Sequence, residues 1–194
     1  MIHLSIDVES VGLYGEPFAI GWVLYENKVE IESGLLQCNV DNAEGTVANK
    51  EWVKENVVPA LQNNYINNFD CSQMYVVPEL QYRYTYDVIY GTVNDMLSDF
   101  WYNHWLRLKE NYHNMIVLSD CNYPVETNMF KKCIELDPNT NEWYGPFPLH
   151  DIASILFAHG KNPLETYDRL ENELPIHNPV CDARNSYRKI VEFI

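Results

Sequence analysis

Residues 2–13 read IHLSIDVESVGL, and the rest of the chain is laid out against them. Ile2, Leu4 and Ile6 alternate with His3 and Ser5, the period-2 pattern of a strand. Next comes Phe18 to Leu24 (FAIGWVL), a nearly continuous apolar run of the length of a buried strand. Lys28 to Cys38 reads as a third strand. Gly15-Glu16-Pro17 and Glu26-Asn27-Lys28 supply turn residues between the three, which predicts an antiparallel meander.

Beyond the meander the pattern changes to helices. Asn49 to Leu61 is predicted as a helix with Trp52, Val53, Val57 and Leu61 on one face. Residues 62–90, crowded with Tyr, Asn and Pro, read as loop, and 62–112 as an inserted region of an otherwise single domain spanning 1–194. Thr92 with Asp95 resembles a capping box, and Val93, Met96, Leu97, Phe100, Trp101, His104, Trp105 and Leu108 follow helical spacing, an aromatic stripe best read as core. Met115 to Ser119 is a short strand ending at Asp120. Pro124 opens a helix to about Leu136. Phe147–Leu149 is a short strand leading into a helix over Ile152–Ala158. Asn162-Pro163 and Asn178-Pro179 mark two further helix starts. Strands first, then helices alternating with strands, predict an α/β mixed sheet flanked by helices.

Composition narrows the function. The 194 residues carry 28 Asp+Glu against 13 Lys+Arg, a net charge of −15, with 46% hydrophobic residues. Such apolar content excludes a disordered chain. Nearly apolar runs such as Ile152 to Ala158 are far short of the roughly 20 residues that span a bilayer. No basic leader precedes the first apolar stretch, and five cysteines without a C-x-x-C spacing read as reduced, buried thiols, so a cytoplasmic location is expected. The acidity argues at first against nucleic acid as a partner.

The carboxylates change that view. Asp7 and Glu9 lie two apart on one strand and face the same side, an oxygen pair suited to hard divalent cations. With 11 Asp and 17 Glu, about one D-x-E arises by chance, so the pair alone says little. His177 and Asp182 form the chain's single H-x4-D, straddling the start of the last helix. Between these, Asp120 closes a strand and Glu126 falls in the first turn of the following helix, a place that favours acids even without a metal.

In this order the three elements resemble the DEDDh branch of the 3′–5′ exonucleases, which have the RNase H-like fold. Ile6-Asp7-Val8-Glu9-Ser10-Val11-Gly12-Leu13 is similar to that family's D-x-E-(S/T)-x-G-L signature, and His177-Asn178-Pro179-Val180-Cys181-Asp182-Ala183-Arg184 to its H-x4-D-A block. Trp52-Val53-x3-Val57-x-Pro59-x-Leu61 is similar to the mycobacterial-type exoribonuclease group. The middle motif departs from the family: Val125-Glu126 stands where an aromatic and Asp are usual, and Asp120 comes earlier, so Asp120, Glu126 or both serve as the middle ligand.

The resemblance implies a two-metal phosphodiesterase with Mg2+ or Mn2+. Asp7, Glu9, Asp182 and Asp120 or Glu126 would hold the metals, and His177 would be the general base, a role suited to imidazole. Ser10, Val11, Gly12 and Leu13 would lie under the terminal nucleotide, with Tyr14 and Tyr123 near enough to stack. Single-stranded RNA, ahead of DNA, would be shortened from the 3′ end to 5′-monophosphates, and a homodimer is compatible with the family. Arg184, Arg188 and Lys189 would form a local basic edge for the strand. The alternative is an acidic interaction module or nucleic-acid mimic that binds a basic protein surface.

Overall fold

The computed structural model describes residues 1–62 and 83–194. The meander forms as expected: β1 (Ile2–Ser10), β2 (Pro17–Glu26) and β3 (Val29–Cys38) pair antiparallel. β4 (Arg83–Tyr90) adds parallel to β3 at one edge, while β5 (Ile116–Ser119) and β6 (Leu149–Asp151) add parallel beyond β1. The six strands run β4-β3-β2-β1-β5-β6, a mixed α/β sheet of the RNase H-like kind with β1 near its centre.

One expectation for the middle of the chain needs correction: β4 (Arg83–Tyr90) lies within a stretch read as loop. Tyr84, Thr85, Tyr86, Val88, Ile89 and Tyr90 are strand formers, and the sheet edge supplies a partner that local composition does not reveal. The region read as an insertion packs against the sheet where it is described. Residues 63–82 lie outside the described set, but α3 (Val93–Asp99), a wide π-type stretch (Phe100–Trp105) and α4 (Leu106–Asn111) cover one face of the sheet. Met96, Leu97, Phe100, Trp101, Trp105 and Leu108 are fully buried, and Phe100 meets Trp22 of β2 edge-on at 5.7 Å. Thr92 caps α3 as predicted, accepting the Asp95 N–H at 3.1 Å and donating to its carboxylate at 2.7 Å.

The helix expected over 49–61 is two helices, α1 (Val47–Asn56) and α2 (Val58–Gln62). Pro59 has no N–H for the ladder, which breaks near Val57. α5 (Val125–Glu135) begins just after Pro124 rather than with it, and α6 (Pro138–Asn141) follows. α7 (Ile152–Ala158) and α8 (Pro179–Ile190) form where predicted. No helix starts at Asn162. Its side chain accepts the Leu164 N–H at 3.0 Å and makes a turn, and Leu164, almost fully exposed, gives a helix nothing to bury.

Both faces of β1 are buried, which simple alternation does not reveal. Leu4, Ile6 and Val8 belong to the apolar core. His3 and Ser5 are buried under α8, where Ser5 donates to the Ala183 carbonyl at 2.8 Å and His3 Nδ1 lies 3.1 Å from the Tyr187 hydroxyl. The same side carries Asp7 and Glu9 toward the start of α8. Among the described cysteines, Cys38, Cys133 and Cys181 are buried thiols as expected, whereas Cys121 is exposed; Cys71 lies outside the described residues. No helix among the described residues is long and apolar enough to cross a membrane.

Candidate metal centre

α8 approaches the sheet at Gly21, which pairs with Asp7 across β1 and β2. A Cβ at Gly21 would fall 2.4 Å from the backbone of Pro179 and Val180. Only glycine allows this approach, and it brings the first turn of α8 over Asp7. Asn178 caps that helix, accepting the N–H groups of Val180 at 3.1 Å and Cys181 at 3.4 Å. Just before the cap, His177 sits in the left-handed region at φ 66°. A backbone of that kind on a non-glycine residue persists only where surroundings enforce it, and such positions cluster at functional sites.

Glu9, His177 and Asp182 bring potential ligand atoms within 4.8 Å of one another. His177 Nδ1 is 3.5 Å from Glu9 Oε1, and the His177 N–H donates to Asp182 Oδ2 at 3.0 Å. At Glu9 and Ser10 the β1–β2 register slips, the kind of bulge that re-aims side chains beside a site.

The electrostatics of the cluster are those of crowded, desolvated acids. Burial, then Asp182, Glu9, Glu126 and Asp120, push the Asp7 carboxyl well above the usual range. Burial and the charges of Asp182 and Glu126 raise Glu9 to about 8. Glu126 is raised to about 7, mainly by burial, although the backbone N–H of Val8 holds its carboxylate. Asp182 is raised by burial and eased by Arg169 and by the His177 N–H. Oxygen donors of like charge, desolvated together, fit hard cations such as Mg2+ or Mn2+.

The two candidates for the middle ligand stand differently. Glu126 is buried and acts on Asp7 more strongly than Asp120 does. Asp120 is 40% exposed and pairs with Lys189 at 3.2 Å. Glu126 is thus the more desolvated of the two candidates, with Asp120 at the rim.

A cavity of about 240 Å³ opens beside Glu9, lined by Ser10, Gly12, Leu13, Asn49 and Trp52. Of the residues expected under a nucleotide, Gly12 and Leu13 are there, and Leu13 is exposed. Gly12 has φ 77°, and a Cβ on it would strike the Asn49 side chain. Ser10 lines the cavity but spends its hydroxyl on the Gly12 carbonyl at 2.9 Å. Val11 is fully buried, and its side chain does not line the cavity. Tyr123 is exposed and meets Tyr14 edge-on at 6.4 Å, outside this cavity.

Three residues here escaped the sequence reading. Trp52, assigned to the core face of its helix, is 52% exposed and stands edge-on to the His177 ring at 5.7 Å. Asn49 lies one turn before it on the same helix, and that spacing could have drawn attention to both. Arg169 reaches Asp182 from a loop, and no spacing signals that. The expected basic edge is also corrected. Arg184 pairs with Glu30, Arg188 with Glu173 and Lys189 with Asp120, so all three charges are already partnered.

No protein-family model matches the chain, and no curated protein sequence matches it.

Proposed function

We propose that the protein is a divalent-metal-dependent 3′–5′ exonuclease that shortens single-stranded nucleic acid, RNA ahead of DNA, to 5′-monophosphates. The observation that carries this reading is the cluster of Glu9, His177 and Asp182, with the buried Asp7 and Glu126 close enough for their charges to act on it, beside a cavity that Glu9 shares with Leu13 and Trp52. The preference for RNA rests on the resemblance of the helix that carries Trp52.

When bound, Mg2+ or Mn2+ would supply charge neutralisation for the phosphoryl oxygens and acidify the attacking water. Asp7, Glu9, Glu126 and Asp182 would hold these ions. Leu13 and Trp52 would receive the terminal base between them, since an aromatic face accepts any base. His177, partly exposed with Nδ1 3.5 Å from Glu9 Oε1, would take one proton from water as its oxygen bonds to phosphorus. The P–O3′ bond then breaks, and the shortened strand leaves as a 3′-hydroxyl once its oxygen is protonated. An acidic mimic of nucleic acid has no use for desolvated carboxylates converging beneath an imidazole.

The test is incubation of purified protein with 5′-labelled single-stranded RNA and DNA, in Mn2+, Mg2+ or EDTA. A ladder shortening from the 3′ end with metal, absent in EDTA and faster on RNA, is the expected result. Intact strands under every metal condition would end the enzyme reading in favour of a binding module.

A further inference from the structure

Arg169 lies in the irregular segment between α7 and α8, and its anchoring is unusual for a loop residue. One nitrogen, Nη1, donates both to the Asp182 carboxylate and, at 2.9 Å, to the Glu173 carbonyl. Glu173 is itself fixed. Its buried carboxylate accepts from Asn185 at 3.0 Å, from Arg188 at 2.8 Å and from the Leu170 N–H at 3.0 Å. The guanidinium is thus held on the rim of the acidic cluster by a rigid support.

A guanidinium carries five N–H donors. Nη1 uses its two here, while Nε and Nη2 make no hydrogen bond with any described residue. The side chain is 20% exposed, so this second edge reaches solvent beside Asp182. Neutralising Asp182 accounts for the first edge and leaves the second unexplained. The arginines of α8 differ, because Arg184 spends both Nε and Nη2 on Glu30, and Arg188 both on Glu173.

We infer that the free edge of Arg169 binds a non-bridging phosphate oxygen, first of the scissile group and then of the 5′-monophosphate product, while its other edge stays on Asp182. This rests on the phosphodiesterase reading of the same site. Arginine suits the task because its planar fork matches phosphate, and one group links ligand and phosphate without moving.

The test measures binding by calorimetry in Mn2+ for adenosine 5′-monophosphate and for adenosine, with wild type, Arg169→Gln and Arg169→Lys. Mn2+ affinity is measured separately by electron paramagnetic resonance. Loss of a charge-assisted contact predicts that Arg169→Gln weakens the monophosphate about 10- to 100-fold, with Mn2+ affinity within about threefold of wild type. Arg169→Lys should recover part of this loss, and adenosine should bind all three alike. If Arg169→Gln does not fold, Arg169→Lys decides: a monophosphate loss of about fivefold or more supports the contact, and none overturns it. Monophosphate affinity unchanged in Arg169→Gln, or lost only in step with Mn2+, also overturns it. If wild type still degrades strands in either case, the nuclease reading stands. Wild type that binds neither Mn2+ nor the monophosphate overturns both.

Discussion

Asp7→Asn should lower strand hydrolysis by about a thousandfold or more while making the metal-free protein more stable. The two effects have one cause. Asp7 is pushed toward its protonated form by burial and by Asp182, Glu9, Glu126 and Asp120. Asparagine keeps the shape and removes the charge, so the repulsion disappears together with the metal ligand. At pH 8 in EDTA the gain should be on the order of 1–3 kcal/mol, the scale of an uncompensated buried polar group. Thermal melts and initial rates on labelled RNA read the two effects separately. A variant less stable than wild type in EDTA would mean that Asp7 is a structural acid with a favourable partner.

The second large effect concerns pH and metal. Glu9 and Glu126 start from ordinary values of 4.5 and titrate near 8 and 7 in the folded protein. Across that interval the folded state holds more protons than the unfolded chain, so metal-free stability falls as pH rises from about 4.5 through about 8. His3 and His104, which burial pushes below 6.5, act the other way and cost stability as pH falls below that value. Between pH 6.5 and 8.5 the carboxylates dominate. Melting in EDTA should therefore drop by about 5 °C over that range. With millimolar Mn2+ the trend should reverse, because the ions take the deprotonated ligands, and the gain from metal should grow with pH. A flat EDTA profile would remove the electrostatic basis of the site.

The fold was legible where pattern and burial agree. Alternation in β1, the apolar run of β2 and the caps at Thr92 and Asn178 are local signals, and each produced its element. β4 was missed because its strand formers follow a polar, aromatic stretch and its partner β3 is remote in sequence. The helix expected at Asn162 failed because a capping residue needs an apolar face behind it.

The acids of the site were legible because their types and order are unusual together. Their relative importance was not: burial separates Glu126 from Asp120, and burial is a tertiary fact. Trp52 looked like core because helical spacing places it beside Val53 without showing where the core stops. Arg169 was invisible for the same reason, since its meeting with Asp182 depends on the path of the loop between α7 and α8. Net charge by segment misled: the positive charges of α8, read as a strand-binding edge, are spent on Glu30, Glu173 and Asp120.

In the proposed function these carboxylates hold divalent ions for phosphodiester chemistry. Crystals soaked in Mn2+ and measured for anomalous scattering test it most directly. Two peaks about 3.5–4 Å apart are expected, both against Asp7, with Glu9, Glu126 and Asp182 completing the contacts. A map with no peak at Asp7, or with manganese bound only elsewhere on the acidic surface, would contradict it.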